Sequence, residues 1–148
     1  MMTIAKDVMT PEVQAAIDEV ASTCPHERLH VAADHTGGAF LILEGVPLGS
    51  PYAQAETWVG FHVTDACPYA DVYPHFVRGD LARSDGAALG EGITINHTWP
   101  DSSALADAGM MPSRAAAQLS RRSNKRDASG LETPALKLMK VMKWLLSR

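Results

Sequence analysis

The chain has 148 residues, of which 46% are hydrophobic and 20% are charged. A chain of this length and composition can bury one sizeable core, which excludes an intrinsically disordered protein and favours a single domain. The formal net charge of −4 indicates no particular class of partner. We expect residues 10–148 to form the domain and residues 1–9 to precede it as an N-terminal extension.

Cysteine usage and hydropathy bear on where the protein works. Cys24 and Cys67 make no metal-ligand spacing, and no segment resembles a secretory signal peptide. Three lysines interrupt the apolar run over residues 135–146, so this run is not expected to span a membrane. We therefore expect a cytoplasmic protein that does not enter a membrane.

The six histidines do not predict a metal centre. His26 and His30 are four residues apart, but Pro25 and the strand-like pattern after Arg28 oppose the helix that this spacing would need. His62 alternates with apolar neighbours and is expected to face solvent from a strand. We expect neither a metal nor a cofactor.

Two Thr-Pro pairs predict the starts of two helices, because the hydroxyl accepts a free backbone amide and proline suits the first helical position. The helices are expected over residues 10–22 and 133–146, each with apolar residues at helical spacing. Those residues are Val13, Ala16, Ile17 and Val20 in the first helix, and Leu138, Val141, Met142 and Leu145 in the second. Lys137, Lys140 and Lys143 are expected to point largely to water.

Four strand-like runs lie between the helices. Residues 28–34 and 39–44 flank a turn over residues 35–38, whose two glycines favour a hairpin. The runs WVGFHV, from Trp58, and VYPHFV, from Val72, flank a turn that contains proline and aspartate. The order predicts an α+β fold with a four-stranded antiparallel meander.

The pattern weakens after Leu81. Residues 82–113 hold many glycines and polar residues, and only the run GITINHTW within them is typical of an extended chain. We expect a long irregular segment, which in a compact domain is usually functional or mobile. The residues that follow, from Ser113, fit either a short helix or an extended active-site segment.

The order of these elements and two short motifs resemble the ubiquitin-conjugating enzymes, and in particular their divergent prokaryotic relatives. The motifs are Tyr73-Pro74 at the start of the fourth strand and Thr133-Pro134-Ala135-Leu136 at the start of the last helix. The resemblance covers roughly residues 10–146. It implies a transferase of a bacterial ubiquitin-like conjugation pathway, with a ubiquitin-like protein and its adenylating activating enzyme as partners.

The sequence departs from this family at the catalytic residue. The usual conjugating enzyme carries its acyl group on a cysteine that follows a His-Pro-Asn motif, between the Tyr-Pro and the Pro-Ala-Leu. Here no cysteine follows Cys67, which precedes Tyr73-Pro74, and His-Pro-Asn is absent. By position, the resemblance instead points to a serine hydroxyl that forms an oxyester, with Ser120 as first choice and Ser123 as the alternative.

The neighbours of these serines have supporting roles in this hypothesis. Arg121 or Arg122 would stabilise an oxyanion, and Asn124 would donate a hydrogen bond to it. A serine hydroxyl is hardly ionised at neutral pH, so a base is needed, and His97 or His75 is expected to supply it.

Three alternatives stay open. The segment around Ser120 also fits a solvated basic loop without catalytic function, which its composition alone favours. A catalytically inactive variant would act as a scaffold for a ubiquitin-like protein or its activating enzyme. The activating enzyme is expected to dock on the exposed face of residues 10–22, with Glu12, Asp18 and Glu19. The basic stretch over residues 114–126 leaves nucleic-acid binding as a further alternative, which we regard as the less favoured one.

Overall fold

The computed structural model describes residues 8–100, 113–123 and 132–148, and within these residues the chain forms two helices and a six-stranded antiparallel sheet. The helices are α1 (Pro11–Thr23) and α2 (Pro134–Leu146). The strands are β1 (Arg28–Ala33), β2 (Ala39–Pro47), β3 (Glu56–Val63), β4 (His75–Arg78), β5 (Ile93–Trp99) and β6 (Arg114–Leu119). The α+β class is confirmed. The expected extension over residues 1–9 stays a prediction, because most of it lies outside the described residues.

The sheet is larger than the predicted four-stranded meander. Its strand order is β1-β2-β3-β4-β6-β5, so the first four strands are sequential neighbours and two more continue the sheet beyond β4. β6 pairs with β4 on one side and with β5 on the other. For the alanine-rich segment from Ser113, the sequence allows either a helix or an extended chain. The segment is a strand, because Ala117 and Leu119 are buried in the core.

Both helices begin at the predicted Thr-Pro pairs. The Thr10 hydroxyl accepts a hydrogen bond from the Val13 amide at 3.1 Å, and the Thr133 hydroxyl accepts one from the Leu136 amide at 3.2 Å. Each helix has 13 residues. In the described part of the chain, no helix has the length and apolar character needed to cross a membrane.

The main core lies between the helices and one face of the sheet. Alternate residues of the strands point into it, as Leu41 and Phe61 do, and both side chains are fully buried. α2 buries the predicted stripe of Leu138, Val141 and Leu145. The prediction for Lys137 was wrong. This residue was expected to point to water, but it is only 3% exposed and is one of the buried residues of α2.

The opposite face of the sheet carries a smaller cluster built around Trp99. Gly60 makes this packing possible, since a Cβ at that position would lie 2.5 Å from the Trp99 ring. Phe40 and Phe76 pack against the same ring, with centroid distances of 6.2 and 6.0 Å. The two faces therefore differ: one is covered by helices, and the other presents half-buried aromatic rings.

The packing of α2 gives a stability prediction. Leu145→Ala should lower the free energy of unfolding by about 2–5 kcal/mol, because it removes a fully buried side chain and leaves a cavity. Leu136→Ala is the matched control on the same helix, since Leu136 is 46% exposed, and should change stability by less than about 0.5 kcal/mol. Urea denaturation of both variants measures the difference, and equal values for the two would mean that α2 is not docked as described.

Candidate functional site

Ser120, the first predicted nucleophile, directly follows β6 and is held by neutral groups. Its amide donates to the Gly92 carbonyl at 2.8 Å, and its hydroxyl accepts a hydrogen bond from the Gln118 side chain at 3.1 Å. Within the described residues, neither a carboxylate nor an amine contacts the Ser120 hydroxyl. Ser120 therefore has no base within hydrogen-bond reach there.

Ser123, the alternative nucleophile, lies in a network of charged groups. Its hydroxyl oxygen is 3.1 Å from Asp71 Oδ1 and accepts a hydrogen bond from Lys137 Nζ at 3.1 Å. Glu132 Oε1 lies on another side of the same hydroxyl, also within hydrogen-bond reach. Because a hydroxyl has one proton, Ser123 donates to Asp71 or to Glu132 at any moment, but not to both.

The network is fixed by two ion pairs and one backbone contact. Lys137 Nζ lies 2.7 Å from Asp71 Oδ1, and Lys140 Nζ lies 2.7 Å from Glu132 Oε2. The amide of Ser123 donates to Asp71 Oδ2 at 2.9 Å. Three separate parts of the chain thus meet here: the segment before β4, the segment after β6, and the first turns of α2.

The two carboxylates are held in their ionised form. Burial acts to raise the pKa of Asp71, but the hydrogen bonds and charge of Lys137, with those from Ser123, outweigh it and the pKa lies below its ordinary value. Burial likewise opposes ionisation of Glu132, and hydrogen bonds from Lys140 and Ser123 lower its pKa in the same way. Both groups are proton acceptors at neutral pH, although weaker ones than an unperturbed carboxylate.

His75 lies beneath α2, close to this network. It is fully buried, and neither ring nitrogen has a hydrogen-bond partner in the described part of the chain. Burial lowers the pKa of His75 to about 3, and the charge of Lys137 adds to this effect against the opposing charges of Asp71 and Glu132. The imidazole is therefore neutral at neutral pH and makes no hydrogen bond to either serine.

His97, the other predicted base, lies away from both serines. It is an exposed residue of β5, opposite Ala116 of β6, and its ring meets Phe76 at a centroid distance of 6.4 Å. Ala116 precedes Ser120 by four residues, which is about 13 Å along a strand. The structure does not bring His97 to the predicted nucleophiles.

Arg121 and Arg122 lie at a pocket of about 400 Å³ beside Ser123. The Arg122 guanidinium lies 3.8 Å from the centre of the Tyr73 ring, and that of Arg121 lies 5.5 Å from the centre of the Trp144 ring. The pocket is lined by Arg121, Arg122, Ser123, Glu132, Lys137, Lys140 and Val141. Arg121 and Arg122, both predicted to stabilise an oxyanion, thus line the same pocket as Ser123. The third predicted residue, Asn124, lies outside the described residues.

Asp71, Glu132 and Lys137 were missed as site residues from sequence alone. Asp71 precedes the Tyr73-Pro74 pair, and Lys137 borders the apolar stripe of α2. The position beside the stripe is the sequence signal that could have identified Lys137 as a buried residue. Lysine stems commonly line such stripes with the ammonium in water, so the pattern itself favoured exposure. The pairing with Asp71, 66 residues away, is not visible in local sequence.

The arrangement has the parts of an activated hydroxyl. A carboxylate accepts the serine proton, and an adjacent ammonium stabilises negative charge that develops on the same oxygen. The low exposure of Lys137, at 3%, strengthens that interaction because little water screens it. The geometry is therefore suited to attack by Ser123 on an acyl group.

Comparison with known proteins adds no family assignment. No family model, no curated protein and no solved structure matches the chain.

The burial of His75 predicts a pH dependence of stability. The unfolded chain binds a proton at His75 near its ordinary pKa of 6.5, whereas the folded chain does so only near 3, so stability falls as the pH drops below 6.5. Between about pH 7.5 and about pH 5 this loss should be about 2 kcal/mol. His75→Leu should remove it, so the difference in unfolding free energy between the two proteins should change by that amount. Parallel pH profiles for wild type and variant, measured by urea denaturation, would contradict the burial of a neutral imidazole.

Proposed function

We propose that the chain is a cytoplasmic protein of the ubiquitin-conjugating type, which accepts the C-terminal acyl group of a ubiquitin-like protein on a serine as an oxyester. The serine that the geometry favours is Ser123 rather than Ser120. One observation carries this choice: the Ser123 hydroxyl lies 3.1 Å from both Asp71 Oδ1 and Lys137 Nζ. Ser120 has no comparable contacts in the described part of the chain.

The proposed step is a transfer from thioester to oxyester. The Ser123 oxygen attacks the carbonyl carbon of the ubiquitin-like protein, which arrives as a thioester on its activating enzyme. The new C–O bond forms, the C–S bond breaks, and the serine proton passes through a carboxylate of the site to the departing thiolate. No oxidant or reductant is needed, and the step is an ordinary acyl transfer.

The side chains divide this task between them. Asp71 or Glu132 accepts the proton, since each carboxylate lies against the Ser123 hydroxyl. Lys137 donates a hydrogen bond to the Ser123 oxygen, and its positive charge favours loss of the serine proton as the C–O bond forms. Arg122, held over Tyr73, lines the pocket beside the Ser123 hydroxyl, at which the acyl group would arrive.

The position of the site in the chain agrees with the resemblance. Tyr73-Pro74 directly precedes β4, and Ser123 lies between β6 and the helix that opens with Thr133-Pro134. Asp71, from the first of these segments, holds Ser123 of the second. This contact supports the proposal that the two motifs mark one site, and the family fold is part of that proposal.

A binding scaffold without chemistry is the second candidate, and the same network favours it in one respect. Both carboxylates are engaged by lysines, and the pKa of each is lowered, which makes them weaker bases. In this candidate the network only fastens the segment after β6 onto α2. A partner would then dock elsewhere, for instance at the groove where Glu12 and Glu19 of α1 flank the buried Cys67.

Nucleic-acid binding draws less support from the described residues. Arg114, the first cation of the basic stretch, pairs with Glu44 at 3.2 Å and stacks over Trp58 on the helix-free face of the sheet. Arg121 and Arg122 instead lie with the rings of Trp144 and Tyr73, at the pocket next to α2. The three described arginines of the stretch therefore divide between two separate places, whereas a phosphate backbone needs a continuous basic surface.

The chemical prediction concerns a covalent adduct. Incubation with a cognate activating enzyme, its ubiquitin-like protein and ATP should give an adduct that resists thiol reductant and is cleaved by hydroxylamine or alkali. Ser123→Ala should abolish this adduct, because no acceptor oxygen remains. Ser123→Cys should form an adduct that reductant cleaves. Gel electrophoresis with and without each reagent reads out all three results.

The control variants separate this proposal from its rivals. Ser120→Ala removes the other serine of the segment and should keep the adduct, as should Cys67→Ala. A stable complex without any adduct supports the scaffold instead. An adduct that persists in Ser123→Ala and disappears in Ser120→Ala or Cys67→Ala would show that Ser123 is not the acceptor.

A further inference from the structure

The two arginines before Ser123 are held in place without a carboxylate partner in the described part of the chain. The Arg122 guanidinium packs on the Tyr73 ring at 3.8 Å, and the Arg121 guanidinium lies within cation–π distance of the Trp144 ring, at 5.5 Å. The neighbouring cations differ, because Lys137 and Lys140 each have a carboxylate oxygen at 2.7 Å. A contact with a ring face restrains a guanidinium and leaves its N–H donors available for a planar anion.

The pocket next to these arginines has an excess of positive charge. Its lining includes four cations and one carboxylate, that of Glu132. Asp71, which pairs with Lys137, adds a second carboxylate, so among the described residues of the site the four cations exceed the carboxylates by two. Since the lysines and carboxylates offset each other, the excess belongs to Arg121 and Arg122. Both arginines are exposed, so an anion that arrives at the pocket from solvent can reach their guanidinium groups.

We propose that Arg121 and Arg122 recognise acidic side chains in the tail of the acyl-donating protein, next to its C-terminal residue. The inference rests on the proposed function for the identity of that tail. Arginine binds a carboxylate through two parallel N–H donors, which gives direction as well as affinity. Because Arg121 and Arg122 directly precede Ser123, the acidic residues fall within the last few residues of the tail.

This recognition gives the site a way to choose its substrate. A tail with carboxylates at these positions places its terminal carbonyl over Ser123, whereas a tail with lysines there meets like charge and is excluded. The chemical class of the substrate is thus an acidic peptide with a free or activated C-terminal carboxyl group.

The test is calorimetric titration of the full chain with short synthetic peptides, without activating enzyme. The probe is acetyl-Gly-Glu-Glu-Gly-Gly with a free C-terminus, and the comparison peptide has glutamine in place of glutamate. Arg121→Ala and Arg122→Ala should each weaken binding of the acidic probe by about five-fold. Arg122→Lys should recover only part of the loss, because an ammonium keeps the charge but not the two-pronged geometry.

Arg28→Ala is the matched control, with the same loss of charge at an exposed residue of β1, on the far edge of the sheet from β5. It should bind the acidic probe as wild type does. The inference is overturned if the acidic and glutamine peptides bind equally, if no binding is detected, or if Arg28→Ala weakens binding as much as the pocket variants. Arginine-dependent binding of inorganic phosphate without binding of the peptide also overturns it.

Failure of this inference and failure of the acyl-carrier proposal give different results. Peptide binding that depends on the arginines, in a protein that forms no oxyester, keeps the recognition site and rejects the chemistry. An oxyester on Ser123 in a protein that ignores the acidic peptide keeps the chemistry and rejects the recognition site.

Discussion

The buried ammonium of Lys137 is the constraint on which the described site depends. Removing a lysine charge from water costs several kcal/mol, so a position that is 3% exposed requires a close anion. Asp71 supplies it at 2.7 Å, from a segment that packs against α2 only in the folded chain. The pair therefore ties the approach to β4 to the start of α2. Ser123 is then fixed between them, since it bonds to Asp71 through its amide and its hydroxyl.

The same pair shapes the electrostatics of its surroundings. The positive charge of Lys137 helps to keep His75 neutral and Asp71 ionised. It also favours negative charge on the Ser123 oxygen, which is where the proposed acyl transfer would need it. The ion pair of Lys137 with Asp71 thus has two consequences: it anchors this part of the fold, and it places a positive charge next to the Ser123 hydroxyl. The ion pair is common to the scaffold and the acyl carrier, and formation of an oxyester on Ser123 distinguishes the two proposals.

Local signals in the sequence predicted the helices and the first four strands well. The Thr-Pro pairs and apolar spacing located both helices to within one residue at most boundaries, and the glycines of residues 35–38 located the first hairpin. Alanine favours helix, so local propensity does not determine the structure of the β6 segment, and pairing with β4 and β5 makes it a strand. Its pairing partners lie far away in the chain, and local propensity does not reveal them.

The candidate site shows the same limit more sharply. Position along the chain pointed to the segment from Ser120 to Asn124 and favoured Ser120. The partners that distinguish Ser123 come from residues 71, 132 and 137, which position along the chain does not reveal.

A double-mutant cycle with Asp71→Asn and Lys137→Met tests the central interaction most directly, with unfolding free energies from urea denaturation. The account predicts a coupling of at least about 1.5 kcal/mol between the two positions. Additive effects, within about 0.5 kcal/mol, would contradict it.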